Sequence, residues 1–173
     1  MASAATYTPI QTVTVSGSPA SSITFGTGGT IPQTYTDLIL IAQIIGGGVA
    51  TPAFRVGNGS LDTATNYSTT ILTSNGSLSY REANKSYCAC PGIVSGIGSG
   101  AISTLRIHFQ NYSNTSTYKS FLIDGGSTTE TGANAGTWRS TSAINTISMI
   151  DYAAGSNTYP VGSTFTLYGI AAA

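Results

Sequence analysis

The chain has 173 residues, six Lys and Arg balanced by six Asp and Glu, a charged fraction of 7% and a hydrophobic fraction of 40%. One domain accounts for this length, and its solubility falls to Ser, Thr and Asn, because charged residues make up roughly a quarter of an ordinary soluble protein. Arg55, Arg81, Lys85, Arg106, Lys119 and Arg139 lie scattered, which excludes the clustered cations that bind phosphates, so no nucleic acid is expected as a partner.

At the N-terminus, residues 1–8 carry neither a basic-then-apolar leader nor a strand pattern, and are read as a flexible arm suited to anchoring, ahead of a β-sandwich domain over 9–173. Synthesis in a cytoplasm follows as an expectation. Helical periodicity is absent throughout, whereas Thr12-Val13-Thr14-Val15 and Ser22-Ile23-Thr24-Phe25 alternate cleanly around a turn at Gly17 to Pro19, predicting a hairpin or two adjacent edge strands. Tyr35 to Ile45 is almost continuously apolar until Gly46-Gly47-Gly48, as expected of a central strand covered on both faces. The whole apolar run from Leu38 to Val49 is broken by Gln43 and three glycines and falls short of the roughly 20 residues of a membrane helix, so no membrane is expected either.

Asn58-Gly59 follows Ala53 to Val56, and Asn75-Gly76 follows Tyr67 to Leu72; Asn-Gly pairs favour turns with positive φ. Ser77 to Arg81 reads as a weaker strand and Cys90 to Gly100 as a loop. Over Ile102 to Gln110, Leu105, Ile107 and Phe109 share one face, which sends Arg106, His108 and Gln110 to the other. Tyr118 to Ile123 is a strand ending on Asp124-Gly125-Gly126, with Asp124 as turn former; Thr137-Trp138-Arg139, Ala143 to Ile150 and Ser163 to Ile170 complete the set. Many short strands punctuated by turns define an all-β fold, a single antiparallel β-sandwich of jelly-roll-like type.

Catalytic chemistry finds little support. The acids Asp37, Asp62, Glu82, Asp124, Glu130 and Asp151 show no paired spacing, and His108, the sole histidine, lacks a nucleophile elbow among the serines. Gly96 to Gly100 is glycine-rich but lacks the Gly-Lys-Ser/Thr ending of a phosphate loop, and no acid cluster suits calcium. Cys88 and Cys90, separated by one residue, would lie roughly 6.5 to 7 Å apart on a strand, too far for an unstrained bridge, and read as free thiols. With a single histidine beside them they do not complete a zinc site. The expectation is therefore no enzyme activity, no catalytic, cofactor or metal site, and no cofactor. Asn-x-Ser/Thr triplets at Asn58, Asn66, Asn75, Asn84, Asn111 and Asn114 follow from a composition dense in Asn, Ser and Thr. Tyr67, Tyr112, Tyr118, Tyr152 and Tyr159 stand in polar surroundings, where tyrosine serves sugar stacking and protein interfaces equally well.

Several blocks together carry a resemblance: Ile31-Pro32-Gln33-Thr34-Tyr35-Thr36-Asp37-Leu38, Asn66-Tyr67-Ser68, Asn111-Tyr112-Ser113 leading to Tyr118-Lys119-Ser120, Gly136 to Ile144, and the closing Ser163 to Ile170. With them the chain resembles small virion proteins of tailed bacteriophages, common among aquatic and cyanobacterial phages, that end in a Leu-Tyr-Gly-Ile-like strand. The resemblance implies a jelly-roll homotrimer placed on the capsid exterior as a decoration or cement protein, partnered by the major capsid protein. The alternative it leaves open is a tail-fibre or spike domain that recognises host glycans through exposed Tyr and Asn. Low charge, a polar surface and the absence of a disulfide requirement suit a protein assembled on a shell in a reducing cytoplasm.

Overall fold

A computed structural model describes residues 6–48, 51–73, 79–91, 100–128, 130–152 and 157–171. Among them it holds thirteen strands and no helix: β1 (Tyr7–Thr14), β2 (Ser22–Phe25), β3 (Asp37–Ile45), β4 (Pro52–Asn58), β5 (Ser60–Leu61), β6 (Tyr67–Thr73), β7 (Ser79–Lys85), β8 (Cys88–Ala89), β9 (Ile102–Gln110), β10 (Lys119–Gly126), β11 (Thr131–Trp138), β12 (Thr146–Asp151) and β13 (Thr164–Ile170). Eight form one sheet in the order β1-β13-β3-β9-β10-β11-β6-β7; a smaller sheet runs β2-β12-β4-β5, with β8 also against β4. Every pairing is antiparallel, and the two sheets form the jelly-roll-like sandwich expected from the sequence.

The core lies between the sheets. Phe54 of β4 meets Phe109 of β9 and Phe121 of β10 edge to face, with centroids 5.3 and 5.0 Å away, and those two rings are 5.4 Å from each other. Such geometry sets the positive edge of one ring against the negative face of the next. Beside it, the fully buried Tyr67 of β6 reaches across to β4, where its hydroxyl accepts from Val56 N and donates to Val56 O, both at 3.0 Å. One phenol thus contributes apolar area to the core and a polar tie between the sheets.

Alternation along β9 places Ser103, Leu105, Ile107 and Phe109 inside and Ile102, Thr104, Arg106, His108 and Gln110 outside, as the sequence predicts. In β3 the pattern departs from expectation. Leu38, Leu40, Ala42 and Ile44 are fully buried, but Ile41 is 43% exposed. The strand is central, with β13 and β9 on either side; on its outer face Ile39 is buried at 6% exposure while Ile41 and Gln43 are exposed, so the apolar run reflects one buried face and one that is open over its later half.

Four further expectations are corrected. β1 and β2 form no hairpin, but both are edge strands, as the alternative reading has it: β1 pairs with β13 at the edge of the large sheet and β2 with β12 at the edge of the small one, because the Gly17 to Pro19 turn carries the chain from one sheet to the other. Residues 7 and 8 are no arm, since Tyr7 pairs with Ile170 and Thr8 with Gly169; residues 1–5 lie outside those described. Asp124 is a strand residue, facing Arg106 across β9 and β10, and the strand continues to Gly126. The short segment foreseen at Trp138 is the end of an eight-residue β11 rich in Gly and Ala. Its glycines give no strand signal in sequence, but a Cβ at Gly136 would collide with Cys88 Sγ, so close approach of β8 requires the bare backbone. The Asn58-Gly59 turn forms as read, with Gly59 at φ +77° linking β4 to β5. The turn expected at Asn75-Gly76 and most of the Cys90 to Gly100 loop lie outside the described residues.

This packing makes a graded prediction. Phe54→Ala, emptying the ring junction, should cost about 3–5 kcal/mol, and Tyr67→Phe, orphaning buried backbone groups of Val56, about 1–3 kcal/mol; urea unfolding monitored by near-ultraviolet circular dichroism measures both, and equal, negligible losses would refute the assignment of the core.

Candidate functional site

The groups singled out in the sequence settle into separate structural roles. His108 Nε2 lies 2.9 Å from Asp37 Oδ2, and Asp37 Oδ1 accepts from Asn111 N at 2.6 Å. The pair sits on the outer face of the large sheet, and no serine hydroxyl bonds the imidazole among the described residues. Asp124 accepts from Arg106 at 2.8 Å on that same face. Asp62 is elsewhere, holding Trp138 Nε1 at 2.7 Å and Asn66 Nδ2 at 2.8 Å. Burial raises its pKa, but bonds from Asn66, Trp138 and Ala64 outweigh that effect and hold the carboxyl below its ordinary 3.8. Glu82 stands 3.7 Å from Lys85, Asp151 binds Thr51, and Glu130 helps close the β10–β11 turn through its carbonyl.

Cys88 and Cys90 are free thiols, both buried. Burial pushes Cys88 up to about 12 and Cys90 well above the usual thiol range, which makes both poor nucleophiles. Among the described residues no three His, Cys, Asp or Glu side chains gather as metal ligands. Residues 96–99 of the glycine stretch lie outside the described set. Of the Asn-x-Ser/Thr triplets, Asn84 and Asn111 occupy positive φ at 55° and 49°, and Asn114 Oδ1 accepts from Ser116 N and Thr117 N. Those asparagines serve as turn residues.

The tyrosines divide sharply. Tyr67, Tyr112 and Tyr159 are fully buried, each hydroxyl reaching a backbone carbonyl, so the sequence impression of polar surroundings fails for them. Tyr118 is 60% exposed. Tyr152 is half-buried and stacks on Tyr87, ring centres 4.5 Å apart and 14° from parallel.

Two surfaces emerge. The first is the outer face of the eight-stranded sheet, which the strand registers resolve into rows. One runs Thr12, Thr166, Ile41, Arg106, Asp124, Ala133, Leu72, Ser79; the next runs Tyr168, Ile39, His108, Leu122, Ala135, Thr70, Arg81. Ile41, Leu72, Ile102 and Leu122 are 43, 53, 54 and 50% exposed. A shallow depression of about 460 Å³ is set between Ile41, Thr104, Arg106, Asp124 and Thr131. Sequence reading missed this face: Leu122 lies within the run Phe121-Leu122-Ile123, where the two-residue period alone separates an outward side chain from its buried neighbours.

The second surface lies on the other side of the sandwich. There Ser21, Arg55, Tyr87, Asp151, Tyr152 and Asn157 line a groove of about 380 Å³. Arg55 projects from the outer face of β4, opposite Ser148 of β12, while its neighbours Phe54 and Val56 enter the core.

No protein family and no curated protein matches the chain. Among solved structures it is similar to the galectin LEC-6 of Caenorhabditis elegans, at 9% identity over 93% of this chain and 96% of that one, with a TM-score of 0.36. It is also similar to the PL-14 alginate lyase of the marine Aplysia kurodai, at 9% identity over 88% and 82%, with a TM-score of 0.37. At such values the likeness bears on neither ligand nor reaction.

The buried ionisable groups predict alkaline unfolding. Burial raises Cys88 from 9.0 to about 12 and Tyr152 from 10.0 to about 12, and it raises Cys90, Tyr67, Tyr112 and Tyr159 likewise. A raised folded pKa stabilises fully below the unfolded value and that contribution is lost as pH climbs past it. Lys119, lowered from 10.5 by burial, acts in the opposite sense, its cost disappearing towards 10.5. Against that one, these six groups, joined by Tyr87, which burial also raises, should make the urea midpoint fall steeply between about pH 9 and 12; a midpoint unchanged across that window would contradict their burial.

Proposed function

We propose that the chain is a structural virion protein of a tailed bacteriophage, a homotrimeric decoration or cement protein. It docks on the outer surface of the head and bridges neighbouring major capsid subunits. The observation that carries this reading is the open face of the large sheet. Eight strands spaced roughly 4.8 Å apart, each crossing about seven residues, span roughly 800 Å², about the area per partner of a standard protein interface. Its rows alternate Ile and Leu with Thr, Ser and Ala, and its central polar groups pair with each other, Arg106 with Asp124 and His108 with Asp37. A partner covering this face meets apolar area with few unpaired ions, as interface cores require. The blocks from Ile31 to Leu38, from Gly136 to Ile144 and at Ser163 to Ile170, which resemble phage virion proteins, supply the context.

A fibre or spike domain that recognises host glycans is the rival reading, and the groove beside Tyr152 is the feature that favours it. A cryo-electron reconstruction of the particle separates the two. Density repeating over the head lattice, with the Ile41–Leu122 face against the shell, is the expected result. Density confined to the tail would reject the cement role, and absence from the particle would reject both. Leu122→Arg should leave the melting temperature within a few degrees of the parent, since the side chain is exposed, but should strip the protein from particles; retained attachment would remove this face from the interface.

A further inference from the structure

The groove on the small-sheet side holds a cation whose bonding is incomplete. Arg55 donates through Nε to Ser86 O at 2.8 Å, and its guanidinium makes no other hydrogen bond or ion pair among the described residues. The other cations differ. Arg106 pairs with Asp124, Arg139 bonds Ser68, Thr65 and Asn84, Lys119 bonds the carbonyls of Thr117 and Thr141, Lys85 pairs with Glu82, and Arg81 is exposed on the edge strand β7. Arg55 alone joins partial burial to unused donors at the wall of a concavity.

Guanidinium is planar, and with Nε occupied its two terminal nitrogens remain in the fork geometry that matches a carboxylate. Around it the groove supplies an amphipathic wall, the Tyr87–Tyr152 stack, stiffened by Lys85 Nζ 5.9 Å from the Tyr87 ring centre. Asp151 and Asn157 line the same space. Asp151 Oδ1 is already fixed by Thr51 N and Oγ1 at 3.2 and 2.5 Å and its Oδ2 is buried, so this carboxylate is held inside the wall and adds a fixed negative charge to the groove that Arg55 also lines. That pairing of signs disfavours dianions such as phosphate, and suits a ligand with one carboxylate and several hydroxyls. A pyranose ring offers C–H groups to a tyrosine and hydroxyls to an asparagine amide.

We propose that this groove binds a sugar acid, with its carboxylate on the terminal nitrogens of Arg55, its ring against Tyr152 and a hydroxyl on Asn157. The site lies on the sheet opposite to the proposed docking face, so it stands or falls independently of where the chain sits in a particle.

The test is a titration of the ¹⁵N-labelled full chain with methyl β-D-glucuronide, with methyl β-D-glucoside and inorganic phosphate as matched probes. The glucuronide should give saturable shifts at Arg55, Tyr87, Tyr152 and Asn157, with the glucoside at least tenfold weaker, about 1.4 kcal/mol, and phosphate weaker still. Arg55→Gln should weaken the glucuronide at least tenfold and leave the glucoside unchanged; Tyr152→Ala should weaken both. Equal affinity for the two sugars, shifts confined to other regions, or full competition by phosphate would each overturn the proposal, the last by reducing the groove to a simple anion site. The wild-type comparison of the three probes decides the matter even if a variant fails to fold.

Discussion

The ring junction of Phe54, Phe109 and Phe121 fixes the rest of the molecule, because it clamps a small sheet onto one face of a larger one. Phe54 belongs to β4 in the small sheet, and Phe109 and Phe121 to neighbouring strands at the middle of the large one. Sheets stack about 10 Å apart through interdigitated side chains, so this contact commits the inner face of the large sheet to the core. Tyr67 and Tyr159 add polar ties on either side, to Val56 and to Ile150. What the small sheet cannot do is cover the second face of the large one, and the open face is the direct result.

Ionic interactions contribute little to this arrangement. The Arg106–Asp124 pair is 60% and 47% exposed, a situation in which solvent and salt screen most of the attraction. Its effect is local: two opposite charges directly across a strand pair neutralise each other within an otherwise apolar row. Inside the sandwich the buried side-chain donors reach backbone carbonyls instead, although Asn134 Oδ1 accepts no hydrogen bond among the described residues. Lys119, 1% exposed, turns its ammonium to two carbonyls, and Asn134 donates to Ala89 O at 3.0 Å. A chain so poor in charge places its few ions where strands are already paired, and leaves hydroxyls and amides to face water.

Much of the architecture was legible because period-two alternation is a local signal. Leu105, Ile107 and Phe109 declared their face, as did Phe165 and Leu167 of β13. Where the reading went astray, distant contacts decided. Nothing near Gly136 announces that Cys88 will press against it, so only the Thr137-Trp138-Arg139 end of β11 was legible. Asp124-Gly125-Gly126 looks like a turn until its register against Thr104 to Arg106 is known. The continuous apolar run of β3 is compatible with two covered faces, and only the size of the opposing sheet reveals that Ile41 is open. The groove was less legible still. Tyr152 was noted, but Arg55, Tyr87 and Asp151 come from three separated segments, and sequence carries no sign that they converge.

The first and last strands are neighbours, with Tyr7 opposite Ile170 and Thr14 opposite Thr164 along the full length of β1. The polypeptide therefore arrives at and departs from one end of one sheet edge, within the roughly 5 Å that separates facing residues of antiparallel strands. Such proximity of Tyr7 and Ile170 means that this sandwich, spliced into a surface loop of an unrelated host or displayed with a passenger at each end, would impose almost no separation on the chain that carries it.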